Sequence, residues 1–130
     1  MLNDADLERY ARQAIIPDIG EEGQERLLAA HVLLVGAGGL GSPAGFYLAA
    51  AGIGHVTIID DEQIEISNLN RQILHTTGSV GTPKVEQAAQ AMKALNPAMQ
   101  VLPIQARLAA DNVDPLVTEH DLVVDCTDNV

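Results

Sequence analysis

Apolar residues fall into four short runs along this chain, Val32–Val35, Val56–Ile59, Val101–Gln105 and Leu122–Asp125. Runs this short, rich in Val, Ile and Leu and bounded by turn residues, predict strands buried in a parallel sheet. Helical segments fill the intervals. Asn3 predicts the cap of a helix from about Asp4 to Ile15, with Leu7, Tyr10, Ala11 and Ala14 on one face. Pro17 and Gly20 break it, and Glu22 to Ala30 predicts a second short helix. Ser42 to Ala51 is small and apolar and reads as a helix stopped by Gly52. Thr82 predicts a cap with Pro83 in the first helical position, and that helix runs to about Leu95, where Asn96-Pro97 ends it. Asp111 to Glu119 predicts the last helix. Alternating strands and helices joined by right-handed crossovers lead to an α/β fold with a doubly wound parallel sheet in strand order 3-2-1-4 and helices on both faces.

The first strand runs straight into Gly36-Ala37-Gly38-Gly39-Leu40-Gly41, which fits G-x-G-x-x-G. In such a turn one glycine permits the tight bend, one lets the backbone approach a phosphate, and one lets helix and strand pack closely. The helix that follows presents unpaired N–H groups and the positive end of its dipole. Asp60 closes the second strand, where an acid can accept the hydroxyls of a ribose. Strand, glycine turn, helix, strand and acid together predict a nucleotide site, without saying which nucleotide.

At 130 residues the chain is one domain at most. Its 47% hydrophobic content excludes disorder, and with 2% aromatics the core must be aliphatic. A net charge of −11 disfavours nucleic acid and anionic membrane as partners. No apolar run is long enough to span a bilayer, and Asn3, Asp4 and Asp6 do not suit a signal peptide. One cysteine excludes an internal disulfide and fits a reducing cytoplasm.

Few cations are available, so each one counts. Arg9 and Arg12 lie one turn apart on the first helix, where the plain reading is a solvated pair. Lys84 stands in the first turn of its helix, opposed to the dipole and gaining nothing locally; a bound anion would explain it. Ser67 to Gln72 is polar and aperiodic, and Thr76 to Thr82, with Gly78 and Gly81, reads as mobile. Ligands of a parallel sheet bind at the carboxyl ends of its strands, which brings Asp128 beside Asp60 and the glycine turn. Asp128 is therefore a candidate Mg²⁺ ligand, since Mg²⁺ takes one or two carboxylates with phosphate oxygens and waters. His31, His55, His75 and His120 lack metal-site spacing and read as ordinary, and Cys126 reads as a structural thiol. No G-x-x-x-x-G-K-[ST] run occurs, which excludes a P-loop.

Taken together, these segments resemble the ThiF/MoeB/HesA superfamily, the bacterial relatives of ubiquitin-activating enzymes. The resemblance rests on Arg9-Tyr10-Ala11-Arg12-Gln13, the glycine turn, Asp60, Ser67-Asn68-Leu69-Asn70-Arg71-Gln72, Gly81-Thr82-Pro83-Lys84 and Asp125-Cys126-Thr127-Asp128-Asn129, in the family's order and over nearly the whole chain. It implies a Rossmann-like nucleotide-binding domain and an ATP-dependent adenylyltransferase whose substrate is a small ubiquitin-like sulfur carrier ending in Gly-Gly. On that resemblance Gly36, Gly38, Gly39 and Gly41 form the phosphate turn and Asp60 holds the ribose. Asn68, Arg71 and Lys84 meet the phosphates, Asp128 holds Mg²⁺ with Asn129 nearby, and Arg12 reaches the other subunit of a homodimer.

The family pattern continues past Val130. On the resemblance, residues 1–130 are the N-terminal, nucleotide-binding half of a longer domain. The later strands, the carrier-docking region, the Cys-x-x-Cys pairs for structural Zn²⁺ and any later catalytic cysteine are then expected beyond it. A chain ending there is expected to leave the strand at Leu122–Asp125 open, to associate through that edge, and not to complete carrier adenylation alone. Two other readings stay open: an NAD-dependent oxidoreductase, which leaves Arg71, Lys84 and Asp128 without tasks, and a non-catalytic binding or dimerisation module.

Overall fold

The computed structural model describes residues 1–128. Its elements are α1 (Asp4–Ala14), α2 (Gly20–Ala29), β1 (His31–Val35), α3 (Gly41–Ala51), β2 (His55–Ile59), α4 (Lys84–Leu95), β3 (Gln100–Ile104), α5 (Val113–Thr118) and β4 (Leu122–Asp125). The four strands pair in parallel in the order β3-β2-β1-β4, as the crossover argument predicts.

β1 runs through the middle of the sheet, with Val32 to Val35 all buried. Alternate residues serve opposite faces. Val32 and Leu34 join Val56, Ile58, Leu74, Val85 and Met92 in the larger cluster, on the side of α3 and α4. Leu33, Val35 and Ile59 form a smaller one, packed by Leu108 and Leu116 near α5. α3 approaches the sheet closely because its inner positions are small: Gly41, Ser42, Gly45 and Ala49 are buried. A Cβ on Gly45 would sit 3.2 Å from Met92 Sδ and 3.3 Å from Leu74 Cδ1.

α1 is capped as its sequence indicates, with Asn3 accepting from Asp6 N–H at 2.8 Å. Two buried amides fasten the first two helices to the rest. Asn96 Nδ2 donates to Tyr10 Oη at 2.7 Å and to the Ala49 carbonyl at 2.9 Å, tying α4, α1 and α3 together. Gln13 and Gln24 both donate to the Ala51 carbonyl at the end of α3. Arg9 and Arg12 thereby part company: Arg9 Nη1 donates to the Leu95 carbonyl at 3.2 Å, whereas Arg12 is exposed.

Three local expectations are corrected. Pro83 itself is the residue before α4 and offers no side-chain cap, while the Thr82 hydroxyl donates to the Ser79 carbonyl at 2.7 Å. The segment around Gly78 is held rather than loose: Thr77–Ser79 forms a 3-10 turn, closed by Thr76 N–H donating to Ser79 Oγ at 3.0 Å, and Ser79 is buried. α5 is shorter than the expected Asp111 to Glu119, running from Val113 to Thr118. β4 is an outer strand of the described sheet, with Leu122 and Val123 exposed.

Asn96 is 1% exposed, so truncating it leaves the Tyr10 hydroxyl and the Ala49 carbonyl short of a partner. Asn96→Ala is expected to cost about 1–3 kcal/mol, read as a lower urea midpoint with an unchanged slope.

Candidate functional site

The carboxyl ends of β1, β2, β3 and β4 open onto one pocket of about 850 Å³. Gly36, Gly38, Gly39, Asp60, Arg71, Lys84 and Asp128 all line it. Val35, Leu40, Ile59, Asp61, Glu62, Gln72, Ala106, Arg107, Leu108, Asp125, Cys126 and Thr127 complete the wall. Gly41, Asn68 and Arg12 do not line it, and Asn129 lies outside the described residues.

The glycine turn forms the floor. Gly36 has φ +100°, and a Cβ there would lie 2.8 Å from the Cys126 carbonyl oxygen. Gly41 is required for contact: its missing Cβ would fall 1.9 Å from the Gly36 carbonyl oxygen. Gly39 lies under Arg71, whose Cγ would be 3.6 Å from a Cβ at that position. The N–H groups of Gly38 and Gly39 have no hydrogen-bond partner among the described residues. Two free donors at the start of an eleven-residue helix are suited to an anion.

Asp60 is half-buried, and both of its oxygens are engaged. Oδ2 accepts the Ala37 N–H at 2.9 Å and Oδ1 accepts the Glu62 N–H at 2.8 Å. It therefore braces the turn and still has lone pairs for a ligand hydroxyl. Asn68 turns to local work: its Oδ1 accepts the Glu65 N–H at 2.8 Å at a 3-10 turn. Arg71 is exposed, donates to the Ser67 carbonyl at 3.1 Å and to Asn70 Oδ1 at 2.9 Å, and lines the pocket.

Lys84 is 3% exposed, and its Nζ lies 3.1 Å from Glu62 Oε1. The expectation that it gains nothing locally is corrected. Glu62 offsets a charge that both burial and the helix dipole disfavour. The Glu62 carbonyl also accepts the Lys84 N–H at 3.0 Å, so the first turn of α4 is seated on this one residue. The Lys84 ammonium thus sits in the pocket wall with a largely exposed carboxylate as its counter-charge.

On the β4 side, the Thr127 hydroxyl and N–H both donate to Asp125 Oδ1 and hold its carboxyl below the usual range. Burial, with the Asp125 charge, pushes the Cys126 thiol up, which disfavours the thiolate and fits a structural thiol. Among the described residues no group of three or more His, Cys, Asp or Glu could hold a metal by itself. No described helix is long and apolar enough to cross a membrane.

Sequence reasoning missed two residues here. Glu62 looked like part of an acidic connection. His75 looked ordinary, yet it is 6% exposed and its Nε2 lies 2.7 Å from the Ala37 carbonyl oxygen. Burial holds its imidazole below the ordinary value of 6.5, against the bond to Ala37; the Lys84 charge adds to the lowering and Asp60 opposes it.

The sign of the linkage follows. In the unfolded chain His75 takes up a proton near pH 6.5, while the folded imidazole resists it until lower pH. The stability it contributes is present above pH 6.5 and is lost as pH falls below that value. Urea midpoints measured at about pH 7.5 and pH 5.5 should therefore drop further for the wild-type protein than for His75→Gln.

Comparison with known proteins agrees with this geometry. The ThiF family matches residues 10–130. Molybdopterin-synthase adenylyltransferase of Salmonella typhimurium is 48% identical over 129 residues, covering 99% of this chain and 52% of that protein. Sulfur carrier protein ThiS adenylyltransferase of Escherichia coli is 44% identical over 129 residues, covering 99% of this chain and 51% of its own length. The solved structure of E. coli tRNA N6-threonylcarbamoyladenosine dehydratase, TcdA, in complex with AMP superposes with a TM-score of 0.92 at 33% identity, over 100% of this chain and 52% of that one. The chain thus spans about half the length of the curated relatives it matches. With a family match over nearly all of its residues, the chain belongs to the ThiF family.

Proposed function

We propose that this chain is the nucleotide-binding domain of an ATP-dependent adenylyltransferase. Its substrate is the C-terminal glycine carboxylate of a ubiquitin-like sulfur carrier of the molybdopterin or thiamine type. The observation that carries this reading is the convergence, in one pocket, of two glycine N–H groups unpartnered among the described residues with Lys84, Arg71, Asp60 and Asp128. Identity of 44–48% to adenylyltransferases, one of them named for its sulfur carrier, favours adenylyl transfer over hydride transfer.

In this reaction the carrier's carboxylate oxygen attacks the α-phosphorus of ATP. The bond from that phosphorus to the bridging oxygen breaks, and pyrophosphate leaves with the electron pair. No protein nucleophile is required, so catalysis is positioning and charge neutralisation. In this assignment Gly38 and Gly39 offer N–H donors to phosphate oxygens, Lys84 and Arg71 offset their charge, and Asp60 takes the ribose hydroxyls.

Asp60, Asp61, Glu62, Asp125 and Asp128 outnumber Arg71, Lys84 and Arg107 around the pocket. A polyphosphate entering that field calls for a divalent cation. The site fits Mg²⁺, which does not need an all-protein cage and is satisfied by one carboxylate with phosphate oxygens and waters. Asp128 is the residue assigned to it; the ion supplies charge neutralisation at the phosphates when bound.

Arg12 stands apart from the pocket, exposed in the last turn of α1 and without an ion pair among the described residues. In this reading it serves the site of a second subunit in a homodimer. ATP as substrate and a single cysteine without a disulfide partner suit a cytoplasmic reaction.

Lys84→Ala should weaken ATP binding by roughly 10- to 150-fold, the equivalent of about 1.5–3 kcal/mol, while adenosine binding changes less than about twofold. Equal losses for both ligands by calorimetry would remove Lys84 from the phosphate site.

In a full-length enzyme carrying this domain, Arg12→Ala and Asp128→Ala should each impair carrier-dependent pyrophosphate release. Mixing the two variants should restore part of it, because hybrid dimers hold one intact site. Absence of rescue, with subunit exchange demonstrated by mass spectrometry, would confine Arg12 to its own subunit. Pyrophosphate release that does not depend on a Gly-Gly carrier would refute the assigned substrate.

A further inference from the structure

The two peptide groups flanking Ala37 are gripped from different directions. The Gly36–Ala37 peptide donates its N–H to Asp60 Oδ2 at 2.9 Å. The Ala37–Gly38 peptide presents its carbonyl oxygen to His75 Nε2 at 2.7 Å. A carbonyl only accepts, so Nε2 carries the proton and Nδ1 is bare. Nδ1 is buried with no partner among the described residues, which disfavours a second proton on the ring. The ring is held in place through its own backbone, as the His75 N–H donates to the Gln72 carbonyl at 3.1 Å.

A trans peptide is planar, and its C=O and N–H point in opposite directions. Fixing the Ala37 carbonyl against buried His75 therefore turns the Gly38 N–H the other way, toward the pocket that Gly38 lines. Without that grip the peptide is free to rotate, because glycine accepts the flipped backbone without steric cost. The flipped form would present a carbonyl oxygen, which repels an anion, where the bound form presents a donor. Asp60 cannot supply this control, since a carboxylate only accepts and already holds the preceding N–H.

We propose that His75 is a positioning residue that locks the Ala37–Gly38 peptide with its N–H directed into the anion site. The identity of the anion as ATP phosphate rests on the adenylyltransferase reading; the lock itself does not.

The test uses two substitutions. His75→Phe keeps a ring and removes the donor, and His75→Gln restores an N–H near the position of Nε2. If His75→Phe does not fold, His75→Asn, whose amide is too short to reach Ala37, takes its place. The first measurement is NMR of the Ala37–Gly38 peptide in the ligand-free protein. In the donor-free variant the Ala37 carbonyl carbon is expected to move upfield and the Gly38 amide signal to shift or broaden, and in His75→Gln both are expected to lie close to wild type. The second is calorimetry with ATP and with adenosine. The donor-free variant is expected to lose roughly tenfold or more in ATP affinity, with adenosine unchanged within about twofold and His75→Gln recovering most of the loss. Unchanged Ala37 carbonyl and Gly38 amide signals in the donor-free variant overturn the proposal. So does a loss shared equally by ATP and adenosine, or one that His75→Gln fails to recover. A wild-type protein that binds no ATP would overturn the adenylyltransferase reading instead, leaving the NMR result to decide the lock.

Discussion

The contact between Gly41 and the Gly36 carbonyl is the constraint on which this molecule depends. The start of α3 lies so near the end of β1 that any β-carbon at Gly41 would fall 1.9 Å from that oxygen. Close approach of helix to strand puts the helix N-terminus, with its unpaired N–H groups and positive dipole end, directly over the carboxyl edge of the sheet. The same approach continues along α3 through Gly45, under Met92 and Leu74, so α3, α4 and the central strand pack as one unit. Site and core share this geometry.

Around that floor the charges are arranged with few free partners. Lys84, buried and at the wrong end of a helix for a cation, is matched by Glu62. Glu62 is in turn fixed to Asp60 through its N–H and to α4 through its carbonyl. The acid assigned to the ribose and the base assigned to the phosphates are thus joined through a single residue between them. In the proposed chemistry Lys84, with three N–H donors, would serve a phosphate beside that carboxylate, and the acidic pocket wall gives a divalent cation its place.

Much of this was legible in the order of residues. The four apolar runs correspond to the four strands, and the crossover rule leads to their observed order. Asn3 caps α1 and Gly52, with φ +90°, ends α3, because caps and stops are written in residues next to the element they serve. Of the residues expected at the site, Gly36, Gly38, Gly39, Asp60, Arg71, Lys84 and Asp128 line one pocket, whereas Gly41, Asn68 and Arg12 do not. Local signals overreached where packing decides: Thr82 was expected to cap α4, but its hydroxyl is drawn to Ser79.

What the sequence by itself determined is the set of elements, their topology and the backbone positions where only glycine fits. These follow from periodicity, turn chemistry and steric limits that act within a few residues of chain. The roles of Glu62, His75 and Asn68 were decided by tertiary structure alone. A histidine earns no local signature from a carbonyl thirty-eight positions away, the separation between His75 and Ala37. A glutamate in an acidic stretch likewise looks solvated until the fold sets a buried ammonium 3.1 Å from it. Hydrogen bonds and ion pairs between distant segments depend on angles and distances of a few tenths of an ångström, and only the packed core sets those.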